Sequence, residues 1–326
     1  VPAPEAIGAF ALVRKMLAKL CDLESILRCP VSLHPLVRDG DVLRSQAGAQ
    51  CYPRVGGTPV LIDFRCSVRK REELLAQAAQ SAIARPSHRG VLHHVKRLVS
   101  PEKESTRRNI DRLIHALPRR GGATVLVIGG GTIGQGLGAL YDDPDLRVIA
   151  FDLYASPNVQ FVADAHQIPL AESSCDAVVI QAVLEHVLEP QRVVQEIWRV
   201  LKPNGLVYAE TPFLQQVHEG AYDFTRFTES GHRYLFKQFE MIDSGVSGGP
   251  GTQLIWSLDY FARSLFRSRL AGKMCKLAFA WLRLFDQFIP PSYASDAASG
   301  VYFLGRRSLV TVDPDSIIDF YRGAHP

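Results

Sequence analysis

Between residues 124 and 210 short apolar runs alternate with stretches in which apolar side chains recur every three or four positions. The runs at 124–128, 147–151, 159–162, 177–180 and 206–210 have the length of strands buried on both faces, and the stretches between them predict helices. That pattern specifies an α/β fold, a Rossmann-like, doubly wound and mostly parallel sheet covered by helices on both faces. Two more strands are predicted at 239–243 and 301–304, and the long apolar and basic segment between them, residues 252–291, reads as a helical insertion late in the sheet. Upstream, residues 6–27 place Phe10, Val13, Leu17, Leu20 and Ile26 at helical spacing among Arg14, Lys15 and Lys19, which predicts an amphipathic helix. From Leu27 the texture changes to short apolar runs broken by Pro30, Pro35, Gly40, Gly48, Pro53, Gly56, Gly57 and Pro59, the punctuation of a small β-rich module. The expected organisation is an N-terminal helix (1–26), the β module (27–66), a helical connector (67–120), the main domain (121–249 and 299–326) and the late insertion (250–298).

The turn after the first strand of the main domain carries Gly129-Gly130-Gly131-Thr132-Ile133-Gly134, a G-x-G-x-x-G spacing that lets backbone approach a bound nucleotide closely. Asp152 ends the next strand, where a carboxylate can accept hydrogen bonds from both hydroxyls of a ribose. A nicotinamide dehydrogenase would share these two features. The residues further along decide between the readings: Ala163-Asp164-Ala165 and Ile168-Pro169-Leu170, then Cys175-Asp176-Ala177-Val178-Val179-Ile180, then Leu184-Glu185-His186-Val187, and finally Arg199-Val200-Leu201-Lys202-Pro203-Asn204-Gly205.

This ordered string resembles the class I S-adenosylmethionine-dependent methyltransferases, in particular their type 11 group, over residues 123–213. The resemblance implies S-adenosylmethionine as cofactor, with the turn at Gly129, Gly131 and Gly134 facing its methionine part, Asp152 its ribose and Asp164 with Ala165 its adenine edge. Leu153 and Gln181 complete the expected cofactor contacts. The chain departs from the family at Val127, where an acidic residue is usual, and at Ile133, where glycine is common. His186 titrates near neutrality as free imidazole, but in this family context it is expected to pack beneath the cofactor.

Ligands of open α/β sheets bind beyond the carboxyl ends of the strands, so the loops after the fourth and fifth strands should face the transferable methyl. The fifth-strand loop is dense in aromatic and ionisable groups, and Phe213, Tyr222 and Arg226 are expected on its substrate rim. For a hydroxyl acceptor, His218 is the expected proton acceptor and Asp223 its orienting partner. The pattern His218-Glu219-Gly220-Ala221-Tyr222-Asp223-Phe224-Thr225-Arg226-Phe227-Thr228 is also similar, more loosely, to a loop of bacterial methyltransferases of glycan and natural-product biosynthesis. Methyl transfer to a small molecule, most readily at oxygen, is therefore the first reading. Methylation of protein or RNA, or cofactor binding without turnover, are the alternatives. The aromatic and basic residues between Leu254 and Phe288 suit a substrate lid, a membrane-surface segment, a dimer interface or plain core packing.

Cys29-Pro30-Val31-Ser32, Cys51-Tyr52-Pro53 and Gly57-Thr58-Pro59-Val60-Leu61-Ile62 are similar to the small zinc-ribbon-like activators of tRNA and protein methyltransferases. Ser32 stands where their second thiolate falls, so no zinc is expected, and no metal is assigned anywhere in the chain. A set drawn from Cys29, His34, Cys51 and Cys66 is the one alternative.

Charge and composition narrow the picture a little further. Lysine and arginine total 37 against 33 acidic residues, and a formal charge of +4 over 326 residues gives no reason to expect a nucleic-acid partner. No C-x-x-C pair, no signal-like N-terminus and no uninterrupted apolar span are visible, which fits a cytoplasmic protein without integral membrane association, with a homodimer left open.

Overall fold

The computed structural model describes residues 17–48, 50–76, 80–81, 103–119 and 121–325. The run Ala123–Ile128 is buried at every position and forms β6, the centre of a nine-stranded sheet. Around it lie β7 (Leu146–Asp152), β8 (Phe161–Ala163), β9 (Cys175–Gln181), β10 (Leu201–Pro212), β11 (Phe239–Gly248) and β12 (Gly300–Arg307). Three short strands, β1 (Leu36–Asp39), β2 (Val42–Ser45) and β3 (Cys51–Tyr52), form a separate antiparallel sheet, while β4 (Arg54–Val55) and β5 (Thr58–Leu61) join the large one. The order is β11-β12-β10-β9-β6-β7-β8-β5-β4. β12 runs antiparallel to both β10 and β11, and β4 antiparallel to β5; the other pairings are parallel. Neighbours of β6 leave in opposite directions, to β7 on one side and β9 on the other, which opens a crevice at their carboxyl ends.

The helices are α1 (Arg71–Ala76), α2 (Glu104–Ala116), α3 (Gly138–Asp142), α4 (Pro190–Val200), α5 (Glu229–Leu235), α6 (Pro250–Leu265), α7 (Arg269–Ala278), α8 (Pro291–Asp296) and α9 (Pro314–Asp319) among the described residues. α4 shows the local logic: Pro190 suits its first turn, Val193, Val194, Ile197 and Val200 lie on its buried stripe, and Leu201 begins the next strand. Leu201 pairs with Cys175 and regular pairing resumes at Leu206, so Lys202–Gly205 is a bulge, with Asn204 at φ 64°. Two apolar clusters sandwich the sheet, one built on Leu126, Ile128, Phe151, Phe161 and Ile180, the other on Val125, Val127, Val148, Val179 and Tyr208.

The N-terminal half departs from the sequence expectations. The helix expected over 6–27 lies outside the described residues as far as position 16, and the rest is not a helix: Leu17 bridges Val148, and only Leu20–Leu23 makes a 3-10 turn. The cause is an open edge on β7, because short β8 pairs only with Phe151 and Asp152. Ala18 N–H donates to the Val148 carbonyl at 3.0 Å, and the Gln160 side chain takes the Ala150 N–H at 2.7 Å, so both satisfy backbone that β8 leaves bare. The β module is also tied to the sheet rather than set apart, since Val60 and Leu61 of β5 pair with Val162 and Ala163. Leu23, Leu27, Leu36, Leu43 and Tyr52 share one apolar cluster with the main domain. Cys29 is buried, with its Sγ 2.9 Å from the Tyr52 hydroxyl and 3.4 Å from the Ser32 amide, whereas His34, Cys51 and Cys66 are exposed. The alternative set of four ligands is thus not assembled.

Candidate active site

The carboxyl ends of β6 to β10 open into a cavity of about 1340 Å³, closed on its far side by the late insertion and by β11 and β12. Ligand cavities usually span about 300–1,000 Å³, so this one has room for two sizeable molecules side by side.

One half carries the residues expected to meet a cofactor. Gly129, Gly134, Asp152, Leu153, Asp164, Ala165 and Gln181 all line the wall. Gly131 stands just behind it and donates its N–H to Asp152 Oδ2 at 2.9 Å, while Asp152 Oδ1 takes the Leu153 N–H at 2.7 Å. These backbone donors aim the carboxylate into the cavity. The glycines serve a somewhat different purpose from the one expected. A Cβ on Gly129 would meet Val183, on Gly131 the Tyr154 ring and Asp152, and on Gly134 the Gln181 side chain, so their smallness lets the cavity's own side chains close in rather than clearing ligand space directly. Asp164 is buried, and hydrogen bonds from His166 and Ser67 outweigh the cost of burial and hold its carboxyl below the usual range.

Beneath this half lies a buried polar knot that the sequence reading passed over. Glu210, the only carboxylate in the apolar run 206–210, is 2% exposed and meets Lys103 Nζ at 3.0 Å, the Thr106 and Tyr208 hydroxyls and the Gln181 amide at 3.2 Å. Burial opposes its ionisation, yet the Lys103 charge and the hydroxyl donors prevail and hold its carboxyl below the ordinary value. A charged residue closing an otherwise apolar run was the available signal.

The other half is built by the loops after β9 and β10. Ala182 takes φ 54°, after which a 3-10 turn (Leu184–His186) points Glu185 and His186 into the cavity. The loop after β10 is held from outside by α6, through Gln216 to Ser257 at 2.9 Å, Gln253 to the Leu214 carbonyl at 3.2 Å and Tyr260 to the Val217 carbonyl. His218 and Tyr222 therefore line the wall. Asp223 stands behind His218, with Oδ2 3.4 Å from its Nδ1 and accepting its backbone N–H at 2.8 Å. Although its burial favours the neutral form, the Arg226 guanidinium and the His218 amide draw the Asp223 carboxyl down to about 2. His218 and Asp223 are thus brought together as expected. Phe213 and Arg226, expected on the substrate rim, fall outside the cavity wall: Arg226 is spent on Asp223 and on the carbonyls of Gln215, Gln216 and Thr225, and clamps the loop. His186 does more than pack, since its Nδ1 lies 2.7 Å from the Tyr222 carbonyl and its ring meets His218 edge-on at 5.0 Å. Burial pushes the His186 imidazole down and the Glu185 carboxyl up to about 8.

Over the mouth, α6, α7 and a 3-10 segment (Ala280–Phe288) pack on one another, with Asp286 capping α6 through Gly251 N–H at 2.6 Å and Thr252. Trp256 faces the cavity with Lys276 Nζ 3.9 Å from its ring centroid. Most of the segment's aromatic richness instead points outward, at Phe261, Phe266, Trp281, Phe285 and Phe288.

Residues 129–209 match the family model described as a methyltransferase domain. The malonyl-[acyl-carrier protein] O-methyltransferase of Marinomonas sp. (strain MWYL1) is 34% identical over 31% of this chain and 43% of its own. The demethylmenaquinone methyltransferase of Renibacterium salmoninarum is 40% identical over 22% of this chain and 34% of its own. The chain thus spans less than half the length of these two relatives. Among solved structures, the 1,6-didemethyltoxoflavin-N1-methyltransferase of Burkholderia thailandensis, with bound S-adenosylhomocysteine, has a TM-score of 0.40 at 16% identity, covering 69% of this chain and 93% of that one.

Residues 129–209 thus carry a methyltransferase domain, set in a doubly wound sheet. The cofactor of that domain is S-adenosylmethionine, and the chain's own residues suit it: a glycine turn, a half-buried Asp152 and a buried Asp164 whose carboxyl is held below the usual range line one end of a cavity large enough for a second molecule.

Proposed function

We propose that the protein transfers a methyl group from S-adenosylmethionine to a hydroxyl of a small molecule, in natural-product or glycan biosynthesis. The observation that carries this reading is a single cavity with cofactor-type residues in one half and a His218–Asp223 pair in the other. When bound, S-adenosylmethionine supplies a sulfonium-activated methyl carbon, which an aligned nucleophile can displace in line. Asp152 holds the ribose end, and Asp164 with the Ala165 backbone holds the adenine end. Lys103 stands beside Gln181 at the methionine end, where its charge suits a carboxylate. His218 faces the acceptor and takes the hydroxyl proton at Nε2, because its Nδ1 lies against the acceptor atoms of Asp223 and Gln216. Alignment of the two reactants inside one closed volume supplies the rest of the acceleration. The name of the Marinomonas relative, an O-methyltransferase, supports oxygen as the nucleophile.

No described helix is long and apolar enough to cross a membrane, and all six cysteines are free, which supports a reducing compartment. The test is calorimetry with S-adenosylmethionine and S-adenosylhomocysteine, followed by turnover against a panel of hydroxylated acceptors. Binding without turnover on any acceptor would favour a regulatory role, and no binding of either ligand would end the methyltransferase reading.

A further inference from the structure

Glu185 has 0% of its surface exposed, and neither of its carboxylate oxygens has a hydrogen-bond partner. A buried carboxyl without partners costs free energy in either protonation state. Its surroundings show what is missing. Oε1 lies 3.6 Å from His186 Nε2 and 3.9 Å from His218 Nε2, too far for a hydrogen bond to either.

The tautomers of both imidazoles follow from their other nitrogens. His186 Nδ1 faces the Tyr222 carbonyl at 2.7 Å, which only accepts, so the proton sits on Nδ1 and the Nε2 lone pair is free. His218 Nδ1 faces Asp223 Oδ2 at 3.4 Å and the Gln216 carbonyl at 3.3 Å, again acceptors, which fixes the same tautomer. Two nitrogen lone pairs and a carboxyl group therefore converge with no hydrogen bond among them. Among the described residues this is the one group of three such ligand atoms, all lying within 4.8 Å of one another.

We propose that Glu185, His186 and His218 are the protein ligands of a divalent transition-metal ion, of the zinc or manganese kind, on the acceptor wall of the cavity. Two imidazoles and one carboxylate suit such an ion, and three protein ligands leave a position open toward substrate. Metal–nitrogen and metal–oxygen distances near 2.0–2.2 Å put tetrahedral ligands about 3.3 Å apart, so the oxygen–nitrogen pairs need to close by only about 0.3–0.6 Å. The outer partners are those a metal site requires: a carbonyl on the Nδ1–H of His186, and on that of His218 a carboxylate itself held by Arg226.

The proposal rests on the O-methyl-transfer reading and refines it. With the ion in place, the acceptor hydroxyl binds the open position, its acidity rises, and its proton leaves to solvent. Its oxygen then forms the bond to the methyl carbon as the carbon–sulfur bond breaks, releasing the methyl ether and S-adenosylhomocysteine. His218 then acts as a ligand, and the ion replaces it in preparing the nucleophile.

The test uses the whole chain, freed of metal by a chelator and titrated with Zn²⁺ and with Co²⁺, with S-adenosylhomocysteine affinity measured in parallel. One ion per chain is expected, weakened by about tenfold or more in each of Glu185→Gln, His186→Ala and His218→Ala, while S-adenosylhomocysteine affinity stays within about twofold. The wild-type Co²⁺ spectrum should show visible bands of a nitrogen and oxygen site and no intense thiolate charge-transfer band. A thiolate band, no saturable binding, or binding unchanged in all three variants would overturn the proposal. Metal binding without S-adenosylhomocysteine binding would uphold it and defeat the methyl-transfer reading; the reverse would leave that reading standing alone.

Discussion

Lys103 reaches across 107 positions of sequence to place its Nζ 3.0 Å from Oε2 of Glu210, a carboxylate sealed beneath the cofactor half of the cavity. The pair ties α2 to the end of β10, and with Thr106 and Tyr208 it satisfies a charge that burial alone would neutralise.

Removing that cation leaves the charge buried and one donor short, so Lys103→Met should lower stability by about 2 kcal/mol. The pH dependence has a definite sign. Because the folded structure holds Glu210 below its ordinary value of 4.5, its stabilisation is fully present above that pH and is lost as the pH falls below it. The melting-temperature gap between wild type and Glu210→Gln should therefore be constant near neutrality and narrow progressively below about pH 4.5. A gap that is flat into strong acid would mean that folding does not lower the Glu210 pKa, and one that shifts in favour of wild type as the pH falls would mean that Glu210 folds as the neutral acid.

Asp152 lines the cavity with its carboxylate aimed by two backbone donors, and in the proposed function it meets the ribose. Replacing it with alanine should weaken S-adenosylhomocysteine binding by about 10- to 100-fold, the worth of one or two hydrogen bonds to a charged group. Calorimetry reads this directly, with circular dichroism checking that the fold survives. Undiminished affinity would detach Asp152 from the cofactor.

His218 and Asp223 should separate in kinetics. His218→Gln is expected to lower kcat by about 10²–10⁴-fold with little change in cofactor affinity. Asp223→Asn keeps the loop's shape while weakening its clasp on Arg226, and a smaller fall, about tenfold, is expected. Rates equal to wild type in both variants would remove this loop from proton transfer.

Two glycines predict contrasting outcomes. A Cβ on Gly134 would run into the Gln181 amide oxygen, the far end of a flexible side chain, so Gly134→Ala should reduce cofactor affinity with little loss of stability. A Cβ on Gly272 would meet the Asp259 carbonyl at 2.8 Å, where α7 crosses α6, and backbone cannot step aside. Gly272→Ala should destabilise the insertion by about 1–3 kcal/mol, visible in proteolysis of residues 250–298 before the rest.

The central sheet was legible because its strands are uninterrupted apolar runs, and a run such as Ala177-Val178-Val179-Ile180 has no other stable home than a doubly covered sheet. Asp152 and Asp164 were legible because each ends such a run. What escaped depended on contacts distant in sequence. Leu17 stands at helical spacing among its neighbours in sequence, yet it pairs with an edge of β7 whose bareness follows from the shortness of β8. Arg226 looks like a substrate residue in a polar loop, and only the folded loop shows its donors consumed locally. Glu185 reads only as part of a family motif, and its complete burial goes with the loop after β10, whose Phe224 and Thr225 amides fold onto its backbone carbonyl.

The pairing of Val60 and Leu61 with Val162 and Ala163 bears on how this catalytic unit can be moved between proteins. A fragment cut at residue 121 would look complete by family resemblance, yet it would carry an unprotected parallel edge and an apolar cluster stripped of Leu23, Leu27, Leu36, Leu43, Tyr52 and Leu61. Such a fragment invites strand addition from its neighbours, so a portable version of this enzyme has to be transplanted with the N-terminal strands that finish its sheet.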